Sequence, residues 1–186
     1  VQDTLRAGHT QEDIYVDIFA ESLYRVGKLW ELNQISVAQE HIATSITQYA
    51  IAVLYPQLPP STLHRGSMVV TGVSGDLHQI GANLVADAME AKGWTVRFLG
   101  TNLPHSSILA VVEETAADVL CISTTLVANL PAVADLVGTI RGKLNGTAPK
   151  IALGGAAYKL APRFAEDLGA IGAFADLRQG LAMLCA

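Results

Sequence analysis

The sequence predicts an α/β protein in two parts: a small helical bundle over residues 1–60, followed by a doubly wound, five-stranded parallel sheet over residues 61–186. Three observations predict it. Before residue 56 the large apolar residues recur at three- and four-residue steps, the period of one helix face. After residue 66, short apolar and β-branched runs alternate with helical patterns, the rhythm of parallel strands joined by crossover helices. Between the two, Pro56-Gln57-Leu58-Pro59-Pro60-Ser61 removes amide donors and biases its neighbours away from helix, so the boundary falls there.

The segment Val1 to Arg6 reads as a short first helix. Thr10 caps a second one from Gln11, with Asp13 near its positive end, and Tyr15, Phe19, Leu23, Val26 and Trp30 form its apolar stripe. Ser36-Val37-Ala38-Gln39 has the capping-box form, in which Ser36 and Gln39 exchange hydrogen bonds, so a long helix starts near Val37. Ile42, Ile46, Tyr49 and Val53 are its expected core face, with His41, Thr44, Ser45 and Gln48 on another side. A bundle of three or four helices results.

Beyond the prolines the expected strands are Met68 to Val73, Thr95 to Leu99, Asp118 to Ile122, Lys150 to Leu153 and Ile171 to Ala175. Helices are expected over Ala82 to Ala91, after Pro104, near Ala132 to Lys143, after Tyr158 and at the end of the chain. This is a flavodoxin-like or Rossmann-like order, in which a ligand sits beyond the carboxyl ends of the strands.

Composition narrows the function classes. With 186 residues and 51% hydrophobic content, the chain is not disordered. It can bury roughly two-thirds of its unfolded surface, so it needs no disulfide or metal merely to fold. Twelve basic against 17 acidic residues, without a basic cluster, argue against direct nucleic-acid binding. The uncharged stretch Val119 to Ala134 is broken by Ser123, Thr124, Thr125, Asn129 and Pro131, so it is no membrane span, and no signal peptide opens the chain. Two cysteines, Cys121 and Cys185, make no disulfide framework and fit a cytoplasmic protein. The start at Val1 leads us to expect a fragment of a longer protein. His9, His64 and His105 read as surface or cap residues and Trp94 as core packing. A nicotinamide cofactor is disfavoured, because Gly72-Val73-Ser74-Gly75 lacks the full dinucleotide fingerprint.

The strand-end loops carry the chemistry. In an extended loop after the first strand, Asp76 and His78 point to one side, so the carboxylate can hold one imidazole nitrogen while the other meets a metal. One imidazole is too little for a zinc or iron site built by protein alone. The metal therefore arrives already coordinated, as in a tetrapyrrole-like cofactor given one axial nitrogen, with haem among the options. Gly154-Gly155 lets a bulky ligand approach the backbone, and the hydroxyls of Ser123-Thr124-Thr125 can donate to it, so a deep slot is expected.

On these residues the chain resembles the cobalamin-binding domain family, whose signature is Asp-x-His-x-x-Gly, then Ser-x-Leu, then Gly-Gly. Here they are Asp76-Leu77-His78-Gln79-Ile80-Gly81, Ser123-Thr124-Thr125 and Gly154-Gly155, with Thr125 where leucine is usual. The resemblance implies that His78 is the lower cobalt ligand, in place of the cofactor's dimethylbenzimidazole. It also implies that the displaced tail lies near Ser123, Gly154 and Gly155, and that the bundle caps the upper face. Nine residues separate Trp30 from Glu40-His41, a spacing similar to that of adenosylcobalamin-dependent photoreceptors. That narrower resemblance implies adenosylcobalamin as cofactor, with Trp30 and Glu40 at the adenosyl group and His41 beside them. It further implies photolysis that moves the cap and changes a homodimer or homotetramer, with any DNA-binding or signalling domain outside this chain. Glu31 departs from the pattern, because the best-known branch has histidine after the tryptophan. The alternative is a corrinoid carrier protein of a methyltransferase system. Neither reading makes the chain a turnover enzyme.

Overall fold

The computed structural model describes residues 2–57 and 61–186; Leu58, Pro59 and Pro60 of the expected boundary lie outside the described residues. The chain divides into two compact units, Val1–Pro59 and Pro60–Ala186.

The first unit is helical. α1 spans Gln2–Arg6 and α2 spans Gln11–Asp13. The α2 start is fixed by a reciprocal cap, since the Asp13 amide donates to Thr10 Oγ1 at 3.1 Å and the Thr10 amide donates to Asp13 Oδ2 at 2.9 Å. The helix runs on through a π-helical stretch, Ile14–Ala20, into α3, Glu21–Glu31. The wider π turns were not foreseen. Tyr15 and Phe19 still meet, with ring centroids 5.9 Å apart, and both are buried. Burial fades along the stripe, and Trp30 is 48% exposed.

α4, Val37–Leu54, starts at the expected capping box: the Ser36 amide donates to Gln39 Oε1 at 2.8 Å and the Gln39 amide to Ser36 Oγ at 3.2 Å. Its buried face is not the expected one. Ile42, Ile46 and Tyr49 are 59%, 63% and 73% exposed, while Thr47, Ile51 and Leu54 are buried. Apolar residues occupy several sides of α4, so periodicity admits more than one face. The face with small residues, Ala43, Thr44, Thr47 and Ala50, is the one that lets another helix approach closely, and α3 packs against α4.

The second unit is the parallel sheet. Its strands are β1 Gly66–Gly72, β2 Trp94–Phe98, β3 Val119–Ser123, β4 Lys150–Gly154 and β5 Gly172–Phe174, in the order β2-β1-β3-β4-β5. Every pairing is parallel. The crossovers are α5 Ile80–Ala91, α6 His105–Thr115 and α7 Leu130–Leu144. In place of the single helix expected after Tyr158 there are two short ones, α8 Ala157–Leu160 and α9 Phe164–Asp167, separated by Pro162, which cannot continue a helix. α10, Leu177–Leu184, closes the unit and packs against α5.

Alternate residues of the strands face opposite layers, as pleating requires. Val69, Leu120 and Ile151 stand side by side in register and enter one core with Ile108, Val133, Leu136 and Ile140. On the other face lie Val70, Cys121 and Ala152, all buried. Cys121 and Cys185 are free thiols, and burial pushes the Cys121 thiol up to about 12. Trp94, expected in the core, is only half-buried. No described helix is long and apolar enough to cross a membrane.

Candidate functional site

In this strand order the chain leaves β1 for β2 on one side and returns to β3 on the other, so the loops after β1 and β3 flank the point where the winding reverses. The functional candidates of this unit collect there. β1 ends in a turn closed by the Asp76 amide donating to the Val73 carbonyl at 3.2 Å, with Gly75 in the left-handed region at φ +87°.

That turn delivers Asp76 into the protein, where it is 1% exposed. Its Oδ1 accepts from the His78 backbone amide at 3.1 Å and pairs with His78 Nδ1 at 2.8 Å. Its Oδ2 accepts from the Thr125 amide at 2.8 Å. Burial works to raise the Asp76 carboxyl, but the hydrogen bonds from the His78 ring, the Thr125 amide and the His78 amide outweigh it and hold the group below the usual carboxylate range. A carboxylate can only accept, so Nδ1 carries the proton and Nε2 is the atom suited to bind a metal. The His78 side chain is 54% exposed.

The β3 side of the site differs from expectation in one respect. Thr125 acts on Asp76 through its backbone N–H, which any residue but proline supplies, so threonine in place of the usual leucine leaves that bond intact. Ser123 stands in register between Gly72 of β1 and Gly154 of β4. Thr124 is fully buried; its amide donates to the Gly154 carbonyl at 2.8 Å and its hydroxyl accepts from the Tyr158 hydroxyl at 3.2 Å. Burial pushes the Tyr158 hydroxyl up to about 12, so it remains a donor at every ordinary pH.

The three glycines separate by what surrounds them. A Cβ on Gly81 would meet nothing within 4 Å, which leaves the backbone there open to a ligand. At Gly154 a Cβ would stand 2.7 Å from the Phe174 ring. At Gly155, with φ +115°, it would collide with the Thr124 carbonyl oxygen. These two glycines are thus required by the protein's own packing, a reason that sequence reading did not give. Sequence reading also missed Asn102, whose Oδ1 accepts from the Gly75 amide at 2.9 Å, and the Tyr158–Thr124 pair. Both are single long-range bonds, and no periodicity announces them.

His41 Nδ1 pairs with Glu40 Oε2 at 2.6 Å, and the Thr44 hydroxyl donates to Glu40 Oε1 at 2.8 Å. Glu31 pairs with Lys28 at 3.1 Å. Trp30 lies one residue before the end of α3.

Among the described residues no group of three or more His, Cys, Asp or Glu side chains could hold a bare metal ion. One imidazole oriented by a buried carboxylate fits a metal whose other positions are already filled, and the open backbone at Gly81 fits a bulky group.

The chain is 25% identical over 166 residues to dimethylamine corrinoid protein 3 of Methanosarcina acetivorans, covering 89% of this chain and 77% of that protein. Its fold superposes on that of the monomethylamine corrinoid protein of Methanosarcina barkeri with a TM-score of 0.86, at 20% identity, over 99% of this chain and 87% of the other. A chain of the methanol:cobalamin methyltransferase complex of Methanosarcina barkeri gives a TM-score of 0.53 at 21% identity, over 96% of this chain and 67% of that one. Residues 66–182 match the family model of the B12 binding domain, and residues 1–55 match a second B12 binding domain model. The chain belongs to the B12 binding domain family and is a cobalamin-binding protein.

Proposed function

We propose that this protein is the corrinoid carrier of a methyl-transfer system, holding its cofactor with His78 Nε2 as the lower cobalt ligand. The observation that carries the ligand assignment is the buried, ionised Asp76 on His78 Nδ1. A bound corrinoid supplies a cobalt centre that accepts and releases a methyl group. The chain's own residues hold and orient: Asp76 fixes the tautomer and direction of the imidazole, the Thr125 amide fixes Asp76, and Gly81 leaves room beside the histidine. Ser123, Thr125, Gly154 and Gly155 are proposed to border the cofactor's displaced tail. The relatives named as methylamine corrinoid proteins favour methyl carriage over light sensing. The partners are then a methyltransferase that loads the cofactor and another that unloads it.

The second reading, an adenosylcobalamin photoreceptor with a light-dependent dimer or tetramer, is favoured only by the spacing of Trp30 to Glu40-His41. One titration separates the two. Protein is mixed with methylcobalamin or adenosylcobalamin and followed by absorbance, in the dark and after green light. Methyl carriage predicts tight methylcobalamin binding with a histidine-ligated spectrum that His78→Ala abolishes. Preference for adenosylcobalamin together with a light-driven change of oligomer would replace this reading by the second one. An unchanged spectrum in His78→Ala would remove the ligand assignment from both.

A further inference from the structure

We propose that Asn102 is a positioning residue for the histidine-bearing loop, its side-chain oxygen setting the turn that presents Asp76 and His78 before any cofactor arrives. This deepens the proposal above and rests on it. In the turn from Val73 to Asp76 the closing bond uses the Asp76 amide, so the turn itself provides no partner for the Gly75 amide. Asn102, 27 residues further on in the β2–α6 loop, provides it: Oδ1 accepts from Gly75 N–H at 2.9 Å. Both ends of this strut are anchored to β1. The Gly100 carbonyl, two residues before Asn102, accepts from the Gly72 amide at 3.1 Å and from the Thr71 hydroxyl at 3.1 Å. A second asparagine flanks the same turn, since Asn129 Oδ1 lies 3.5 Å from where a Gly75 Cβ would stand. The turn that leads to His78 is thus held from the β2 side by the Asn102 side chain.

Asparagine at 102 has two possible reasons. Its backbone is left-handed at φ +59°, which asparagine tolerates better than most residues, and its side chain is an acceptor. Two substitutions separate them. Asn102→Gly keeps the backbone conformation and removes the acceptor, whereas Asn102→Asp keeps both. Each variant, prepared with 15N-labelled histidine, is titrated with methylcobalamin by absorbance and then loaded with cob(II)alamin, whose electron paramagnetic resonance shows a 15N doublet when a protein histidine is bound and a 14N triplet when the cofactor's own base is. Hydrogen exchange of the Gly75 amide is followed without cofactor.

Losing one hydrogen bond that preorganises a loop weakens binding about two- to ten-fold. Asn102→Gly is expected to show that loss, a smaller histidine-bound fraction and faster Gly75 exchange, with a melting temperature lower by no more than about 5 °C, and Asn102→Asp is expected to restore all three binding and exchange readouts. Wild-type affinity, ligation and exchange in Asn102→Gly would overturn the proposal, as would equal loss in both variants. Absence of the 15N doublet in the wild-type protein would instead bring down the ligand assignment on which it rests.

Discussion

Replacing Asp76 by asparagine is the most informative single perturbation, because the side chain keeps its shape and loses one acceptor. The carboxylate offers one oxygen to His78 and the other to Thr125. A carboxamide has one oxygen and one NH2, so in either orientation a backbone N–H faces another donor. If the NH2 faces Thr125, that amide is left unpaired. If it faces His78, the His78 amide loses its acceptor, and the ring must accept at Nδ1, which puts the proton on Nε2 and removes the lone pair a metal needs. An unpaired donor at a buried partner costs about 1–3 kcal/mol, and loss of the charge-assisted bonds keeps the figure in the upper part of that range. For a chain of this size that corresponds to a melting temperature lower by roughly 5–10 °C. Two assays check it: thermal unfolding by circular dichroism without cofactor, and absorbance titration with methylcobalamin, in which the histidine-ligated fraction falls. A variant that melts within about 1 °C of wild type and ligates cobalt equally well would refute the reasoning, since neither the unpaired donor nor the tautomer would then have mattered.

Two further predictions test the frame around this site. Gly155→Ala sets a Cβ against the Thr124 backbone at a φ of +115°, so strain and overpacking together should cost roughly 2–5 kcal/mol in urea denaturation, whereas Gly81→Ala, with nothing within 4 Å, should be neutral or slightly stabilising; equal midpoints for the two variants would contradict this account of the glycines. At the opposite end of the sheet, the Ser67 amide and hydroxyl donate to Asp118 Oδ2 at 2.7 Å and 2.9 Å and hold that exposed carboxyl below its ordinary 3.8. A depressed folded value means a contribution present above the unfolded value and lost as pH falls through the folded one. The melting-temperature advantage of wild type over Asp118→Asn should therefore be constant above about pH 5 and shrink below about pH 4, and an advantage that grows on acidification would reverse the sign.

Much of this protein was legible from local signals. The Ser36 and Gln39 box, the Thr10 cap, the alternation of apolar runs with helices and the Asp76-x-His78 spacing are set by residues within a turn or two of each other, where propensity and periodicity act directly. The resemblance carried by Asp76, His78, Gly81 and Gly154-Gly155 reached the right family. The narrower one, carried by Trp30 and Glu40-His41, pointed to light sensing, whereas the relatives favour methyl carriage. Tertiary structure alone decided the rest. Which face of α4 is buried could not be read from a helix with apolar residues on several sides, because the choice belongs to what packs against it. That Thr125 serves through its backbone, that Phe174 and Thr124 demand the two glycines, and that Asn102 holds Gly75 are facts about atoms brought together from distant stretches of chain. A one-dimensional pattern records what a residue is; only the pairing of β1 with β2 and β3, which draws their loops together at the reversal of the winding, determines which donor meets which acceptor.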